Sequence, residues 1–215
     1  MKFLEAKLVT LGRYGVGKSA IVKRYVDKSF EPAYRQTIGA CFLWCKLNVE
    51  DINLTLHIWD TAGEERFQSI MPMYYRAANA ALLVFDLSSY ESFVTLKQML
   101  IKFERNSDEH VVRLLIGNKL DLKDKRDVSE KEAREFASKI DASYHEVSAL
   151  ADIGIDEIFH KASSELVNLI NQKKETTMKF YECNKLIDNS RKQVLKLLND
   201  SNGSRKTKKK KCSCK

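Results

Sequence analysis

A chain of 215 residues suits one domain of ordinary size with a tail and is too short for two comfortable ones. Hydrophobic residues at 44%, charged residues at 31%, two prolines and eight glycines exclude a fibrous or low-complexity chain. The net charge of +8 suggests nucleic acid until it is located: seven positive charges and no acid fall between Arg205 and Lys215, leaving +1 for the rest, so the basicity belongs to a tail.

Short β-rich runs alternate with helix-length amphipathic segments along the first 170 residues. Lys7 to Leu11, Cys41 to Val49, Leu54 to Asp60, Ala81 to Leu87, Val111 to Gly117 and Tyr144 to Val147 read as strands. Lys18 to Asp27, Arg66 to Ala78, Ser92 to Asn106, Ser129 to Ile140 and Ile155 to Ile170 read as helices, the fourth opened by the capping box Ser129/Glu132. Runs such as ALLVF are apolar throughout, as strands covered on both faces must be. The expected fold is α/β, a six-stranded and mostly parallel sheet with one antiparallel edge strand and helices on both faces. A domain over 1–172 is expected to precede a polar tail over 173–215, in which Leu186 to Leu198 reads either as a short amphipathic helix or as a linker.

Between the first strand and the first helix stands Gly12-Arg13-Tyr14-Gly15-Val16-Gly17-Lys18-Ser19. Its G-x4-G-K-S spacing is that of a phosphate loop: backbone N–H groups wrap the phosphates, the lysine reaches the β- and γ-phosphates, and the hydroxyl ligates Mg²⁺. The helix that follows adds the positive end of its dipole. Asn118-Lys119-Leu120-Asp121, directly after a buried strand, names the base. A carboxylate at Asp121 accepts from the N1–H and exocyclic amino group of guanine, a pair of donors that adenine does not offer there.

With these two motifs stand Gln36-Thr37-Ile38-Gly39 and Phe42, Ile58-Trp59-Asp60-Thr61-Ala62-Gly63, Tyr74-Tyr75-Arg76 and Ser148-Ala149, in one fixed order. The set resembles the small GTPases of the Ras superfamily, and within it the Rab family, over residues 5 to 170. The resemblance implies that GTP and GDP are bound with Mg²⁺ through the loop residues Gly12 to Ser19 and Ala20. It implies that Ser19, Thr37 and Asp60 serve the metal, that Thr37 and Gly63 sense the γ-phosphate, and that Lys18 and Thr37 act in hydrolysis. Phe30, Asn118, Lys119, Asp121, Ser148, Ala149 and Leu150 are implied to frame the guanine. Loss of the γ-phosphate would release the loops around Thr37 and Gly63, which makes a switch. Trp59, Phe42 and Tyr75 read either as an aromatic patch for effector proteins, which the resemblance implies, or as plain core.

Two residues depart from the family pattern. Tyr14 stands where small residues are usual, and its ring is expected over the γ-phosphate edge, where an activating protein's arginine would enter; the alternative is a ring turned to solvent. Glu64 stands where the family has the glutamine that orients the attacking water. A carboxylate accepts from that water but cannot donate to the developing phosphoryl charge, and it repels that charge, so slow hydrolysis is expected. A scaffold that binds GTP with negligible hydrolysis is the rival reading. An ATP-using phosphate-loop enzyme is disfavoured by Asn118 to Asp121.

The five cysteines, at 41, 45, 183, 212 and 214, are odd in number, lack a disulfide-framework spacing and include no CxxC pair, which fits a reducing compartment. No run of about 18 apolar residues appears, so membrane contact is expected through a surface anchor. Lys208 to Lys211 followed by Cys212-Ser213-Cys214-Lys215 resembles the prenylated endings of Rab proteins; both cysteines, or Cys212 alone as fourth from the end, are the two readings. Expected partners are a guanine nucleotide, an intracellular membrane at its cytoplasmic face, effectors, an exchange factor, an activating protein and a prenyl-binding chaperone, with a monomeric chain and no nucleic acid.

Overall fold

The computed structural model of the chain describes residues 1–32, 36–67, 70–107, 110–172 and 177–182. The apolar runs form a single sheet. Strands β1 (Lys2–Leu11), β2 (Ala40–Val49), β3 (Ile52–Thr61), β4 (Ala80–Asp86), β5 (Val112–Asn118) and β6 (Ser143–Glu146) lie in the order β2-β3-β1-β4-β5-β6. All neighbours are parallel except β2 on β3, a hairpin turned at Glu50 and Asp51. The β4 side chains are buried on both faces. Helices α1 (Lys18–Asp27) and α5 (Ile155–Asn171) cover one face, with Ile21, Val22, Ile158 and Phe159 in its core. Helices α3 (Tyr90–Glu104) and α4 (Glu130–Lys139) cover the other, with Phe93, Phe103, Ala133 and Ala137. Such two-sided cover is what the unbroken apolar strands require.

The α/β fold class is therefore as expected, with a seventh strand added. Strand β7 (Lys179–Glu182) runs antiparallel to the first half of β1, whose second half is taken by β4. The pairing sets Lys2 opposite Glu182, Glu5 opposite Lys179 and Phe3 opposite Tyr181, so charge and aromatic side chains match across it. Met178 enters the core, and Thr177 Oγ1 accepts from the Asn79 amide at 2.7 Å while that side chain's oxygen accepts from the Lys7 amide at 2.8 Å. Residues 177–182 thus join the sheet, within the stretch where a tail was expected.

The helix expected over Arg66 to Ala78 is a second difference. A 3₁₀ turn occupies Glu65–Phe67 and a short helix, α2, only Met71–Tyr75. Pro72 lies in the first turn of α2, where its missing N–H costs nothing, and it cannot sit in the interior of one longer helix.

Candidate functional site

The carboxyl ends of β1, β3, β4 and β5 carry the loops that build the site, as ligand sites of open α/β sheets do. The phosphate-loop pattern leaves β1 at Leu11 and enters α1 at Lys18. Lys18 is buried, its Nζ donating to the carbonyl oxygens of Gly12 at 2.9 Å and Arg13 at 3.1 Å. Burial lowers its pKa from 10.5 to about 8, against the opposing pull of Asp60. An ammonium in this setting gains from a polyphosphate that supplies the charge its solvent shell would have offset.

Gly63 comes against the loop from β3. Its carbonyl accepts from the Tyr14 amide at 3.1 Å, and a Cβ there would meet Lys18 Nζ and collide with the loop backbone. Tyr14, about half exposed, lines the cleft with Lys18, Phe30, Thr37, Gly63 and Glu64. Of the two expectations for this ring, cleft edge or solvent, the structure shows features of both. The Arg13 guanidinium stands 4.9 Å from the Tyr14 ring centroid and is paired with Glu91 at 2.6 Å. Glu64 Oε2 is paired with Arg66 Nε at 2.6 Å.

The metal-ligand candidates converge. Ser19 Oγ lies 3.0 Å from Thr37 Oγ1, and the buried Asp60 carboxylate accepts from Thr10 Oγ1 at 3.2 Å. Burial raises the pKa of Asp60, while hydrogen bonds from Ser19 and Thr10 and the charge of Lys18 act the other way. Two hydroxyls and a carboxylate are hard oxygen donors, the set that a small divalent cation such as Mg²⁺ takes.

Asn118 ties the loop after β1 to the loop after β6. Its Nδ2 donates to the Val16 carbonyl at 2.8 Å and its Oδ1 accepts from the Ala149 amide at 3.3 Å. Gly17, with φ +95°, caps α1 there, and a Cβ on it would collide with the Asn118 amide. Asp121 accepts from Ser148 Oγ, which in turn accepts from the Ala151 amide at 2.9 Å. Lys119 has φ +67° and its Nζ pairs with Asp86 at 2.6 Å. Asn118, Lys119, Asp121, Ser148, Ala149 and Leu150 are not among the residues that line this cleft, which Ala20 lines from α1.

Sequence reasoning missed Arg24. From α1 it donates to the Ala149 carbonyl at 3.0 Å and the Leu150 carbonyl at 3.2 Å, and its guanidinium lies 5.5 Å from the Phe30 ring centroid. Only the three-dimensional closeness of α1 and the Ser148 loop, over a hundred residues apart in sequence, reveals it. The aromatic patch needs correction. Tyr75 is 2% exposed and packs on Phe103 in the core, whereas Tyr74 lies 5.6 Å from Trp59, itself 5.3 Å from the exposed Phe42. Cys212, Cys214 and the basic run lie outside the described residues. No helix among the described residues is long and apolar enough to cross a membrane.

One asparagine side chain thus joins the loop after β1 to the loop after β6. Residues 7–168 match the Ras family. Ras-related protein Rab-22A of Mus musculus is 40% identical over 166 residues, which cover 77% of this chain and 86% of that protein. The chain belongs to the Ras family. Ras-related protein RHN1 of Nicotiana plumbaginifolia is 40% identical over 76% of this chain and 82% of its own length. Ras-related protein Rab-1C of Dictyostelium discoideum is 38% identical over 78% and 83%. The protein is a Rab-like small GTPase, a GTP-binding hydrolase of the trafficking-switch class.

Proposed function

We propose that this GTPase is a slowly hydrolysing, Mg²⁺-dependent switch that cycles between GTP and GDP and recruits effectors to intracellular membranes. The buried Lys18 carries the reading, because an ammonium desolvated in a backbone loop at a helix N-terminus is complemented by an anion, and the G-x4-G-K-S loop suits a polyphosphate. In the proposed site Lys18 and the amides from Gly12 to Ala20 hold the phosphates. Ser19, Thr37 and Asp60 hold Mg²⁺, which supplies charge neutralisation across the β- and γ-phosphates when bound. Thr37 and Gly63 report the γ-phosphate, and Asp121 and Asn118 select guanine, with Ala149 and Leu150 offering backbone groups, Ser148 orienting Asp121, and Phe30 and Lys119 flanking the ring.

Glu64 orients water in this scheme without donating to the γ-phosphate, and Tyr14 narrows the approach of an activating protein, so turnover is slow and a partner has to supply the missing group. Single-turnover hydrolysis tests this: Glu64→Gln is expected to raise the rate about tenfold, equivalent to ~1.4 kcal/mol of barrier. An equal rate would remove the proposed role of Glu64. The placement of Tyr14 and Glu64 in one cleft favours a second reading, a scaffold held in its GTP form. Phosphate release that stays at the uncatalysed level in Glu64→Gln as well would favour it.

The basic run and Cys212 and Cys214 are proposed to anchor the chain, prenyl groups acting with lysines worth ~1 kcal/mol each at an anionic surface. Mass spectrometry of protein from its own cells counts the lipids, and an unmodified C-terminus would refute the anchor.

A further inference from the structure

We infer that Arg66 is a positioning residue for hydrolysis, holding the Glu64 carboxylate and compensating its charge beside the γ-phosphate site; this rests on the proposed role of Glu64. The pair is short, Arg66 Nε to Glu64 Oε2 at 2.6 Å, and asymmetric in setting: the Glu64 side chain is 21% exposed and the Arg66 side chain 57%. Local structure holds both ends. The 3₁₀ turn Glu65–Phe67 closes with the Phe67 amide on the Glu64 carbonyl at 3.1 Å, and the Arg66 guanidinium stands 5.0 Å from the Phe67 ring centroid. Glu64 itself lines the cleft beside Gly63, Lys18 and Thr37. The paired oxygen Oε2 faces a cation, and Oε1 has no partner among the described residues, so it is the acceptor that would meet water.

Compensation matters because of the reaction's charge. In hydrolysis the water oxygen forms a bond to the γ-phosphorus while the bond from that phosphorus to the β–γ bridging oxygen breaks. The bond's electron pair leaves with GDP, one water proton stays on the released phosphate and the other passes to solvent. A bare carboxylate at residue 64 faces that anionic centre with like charge in a partly desolvated cleft. A guanidinium in contact turns the pair into a dipole, keeping the acceptor and removing most of the repulsion. A neutral glutamine at 64 would need no such partner, so Arg66 contributes only while residue 64 is acidic.

A double-mutant cycle on the full chain reads this coupling, with single-turnover GTP hydrolysis in Mg²⁺ as the rate and GDP release and thermal midpoint as controls that a merely structural role would move. Arg66→Ala is expected to slow hydrolysis about tenfold with Glu64 present and less than about twofold in Glu64→Gln, Arg66→Lys to restore part of the rate, and higher salt to shrink the difference. Equal slowing in both backgrounds overturns the inference, whichever way Glu64→Gln alone moves the rate. A Glu64→Gln rate equal to wild type instead removes the proposed role of Glu64, a separate outcome.

Discussion

Lys18 pays no entropy to find its ligand because the loop already folds around it, but its charge is costly until an anion arrives. Its lowered pKa makes binding pH-dependent: nucleotide binding to the stripped protein takes up a proton above about pH 8, and affinity for GDP is expected to fall about tenfold between pH 7 and 9. Lys18→Met should bind weakly with that slope gone, measured by titration calorimetry; a slope that persists would assign the proton elsewhere. For the nucleotide-free fold the sign is opposite. The unfolded chain keeps a proton on Lys18 between about pH 8 and its ordinary 10.5 that the folded chain has released, so this group makes the stripped protein more stable as pH rises through that window. Tyr14 acts at the same scale. Its amide is fixed on Gly63, whereas the ring meets the Arg13 guanidinium, which is itself paired with the exposed Glu91. Tyr14→Gly is therefore expected to leave intrinsic hydrolysis within about twofold and to raise stimulation by an arginine-bearing activating protein at least tenfold. Unchanged stimulation would mean that the ring swings clear.

Among the elements, β7 has the clearest consequence. Four residues in a strand contribute little alone, but Met178 enters the core, Thr177 meets Asn79, and the ladder on β1 sets Lys2 opposite Glu182 and Glu5 opposite Lys179. Truncation after residue 176 is expected to cost ~1–3 kcal/mol in urea unfolding, most of it from losing Met178 and the strand, against no change on truncation after 182. Equal stabilities would mean that β7 adds nothing. This strand was not legible in the sequence, because Lys179 to Glu182 is short and half charged and becomes a strand only against the open half of β1. The long elements were legible. Helix α1 runs from Lys18 to Asp27 as its pattern predicts, and β4 reads as fully buried from ALLVF alone. The segment after Gly63 was misread because apolar residues from Phe67 to Tyr75 have helical spacing, while Pro72 and the loop that carries Glu64 divide it. That division also decides which tyrosine meets Trp59: in the short helix Tyr75 turns to Phe103 and Tyr74 outward. Contiguous motifs, such as Gly12 to Ser19, could be read by spacing, whereas the contacts of Arg24 and the Glu64–Arg66 pair depend on folded geometry.

For the whole molecule, the sheet places its working loops at one end, and β7 returns the chain to the first half of β1, the other end from the phosphate loop. Thirty-three residues follow Glu182, carrying seven positive charges in the last eleven and two cysteines. The proposed anchor would follow from the end of the sheet opposite the cleft, so the Phe42–Trp59–Tyr74 face would stay open to the proposed effectors. The nucleotide that copurifies reports the balance of the cycle, GTP being expected if hydrolysis is slow. Everything turns on one bound molecule that reaches from Lys18 to Asp121. Calorimetry on nucleotide-stripped protein with Mg²⁺ tests this most directly: GDP is expected to bind at least 100-fold more tightly than ADP, about 2.7 kcal/mol, and Asp121→Ala to erase the difference. Equal affinity for GDP and ADP in the unaltered protein would contradict it.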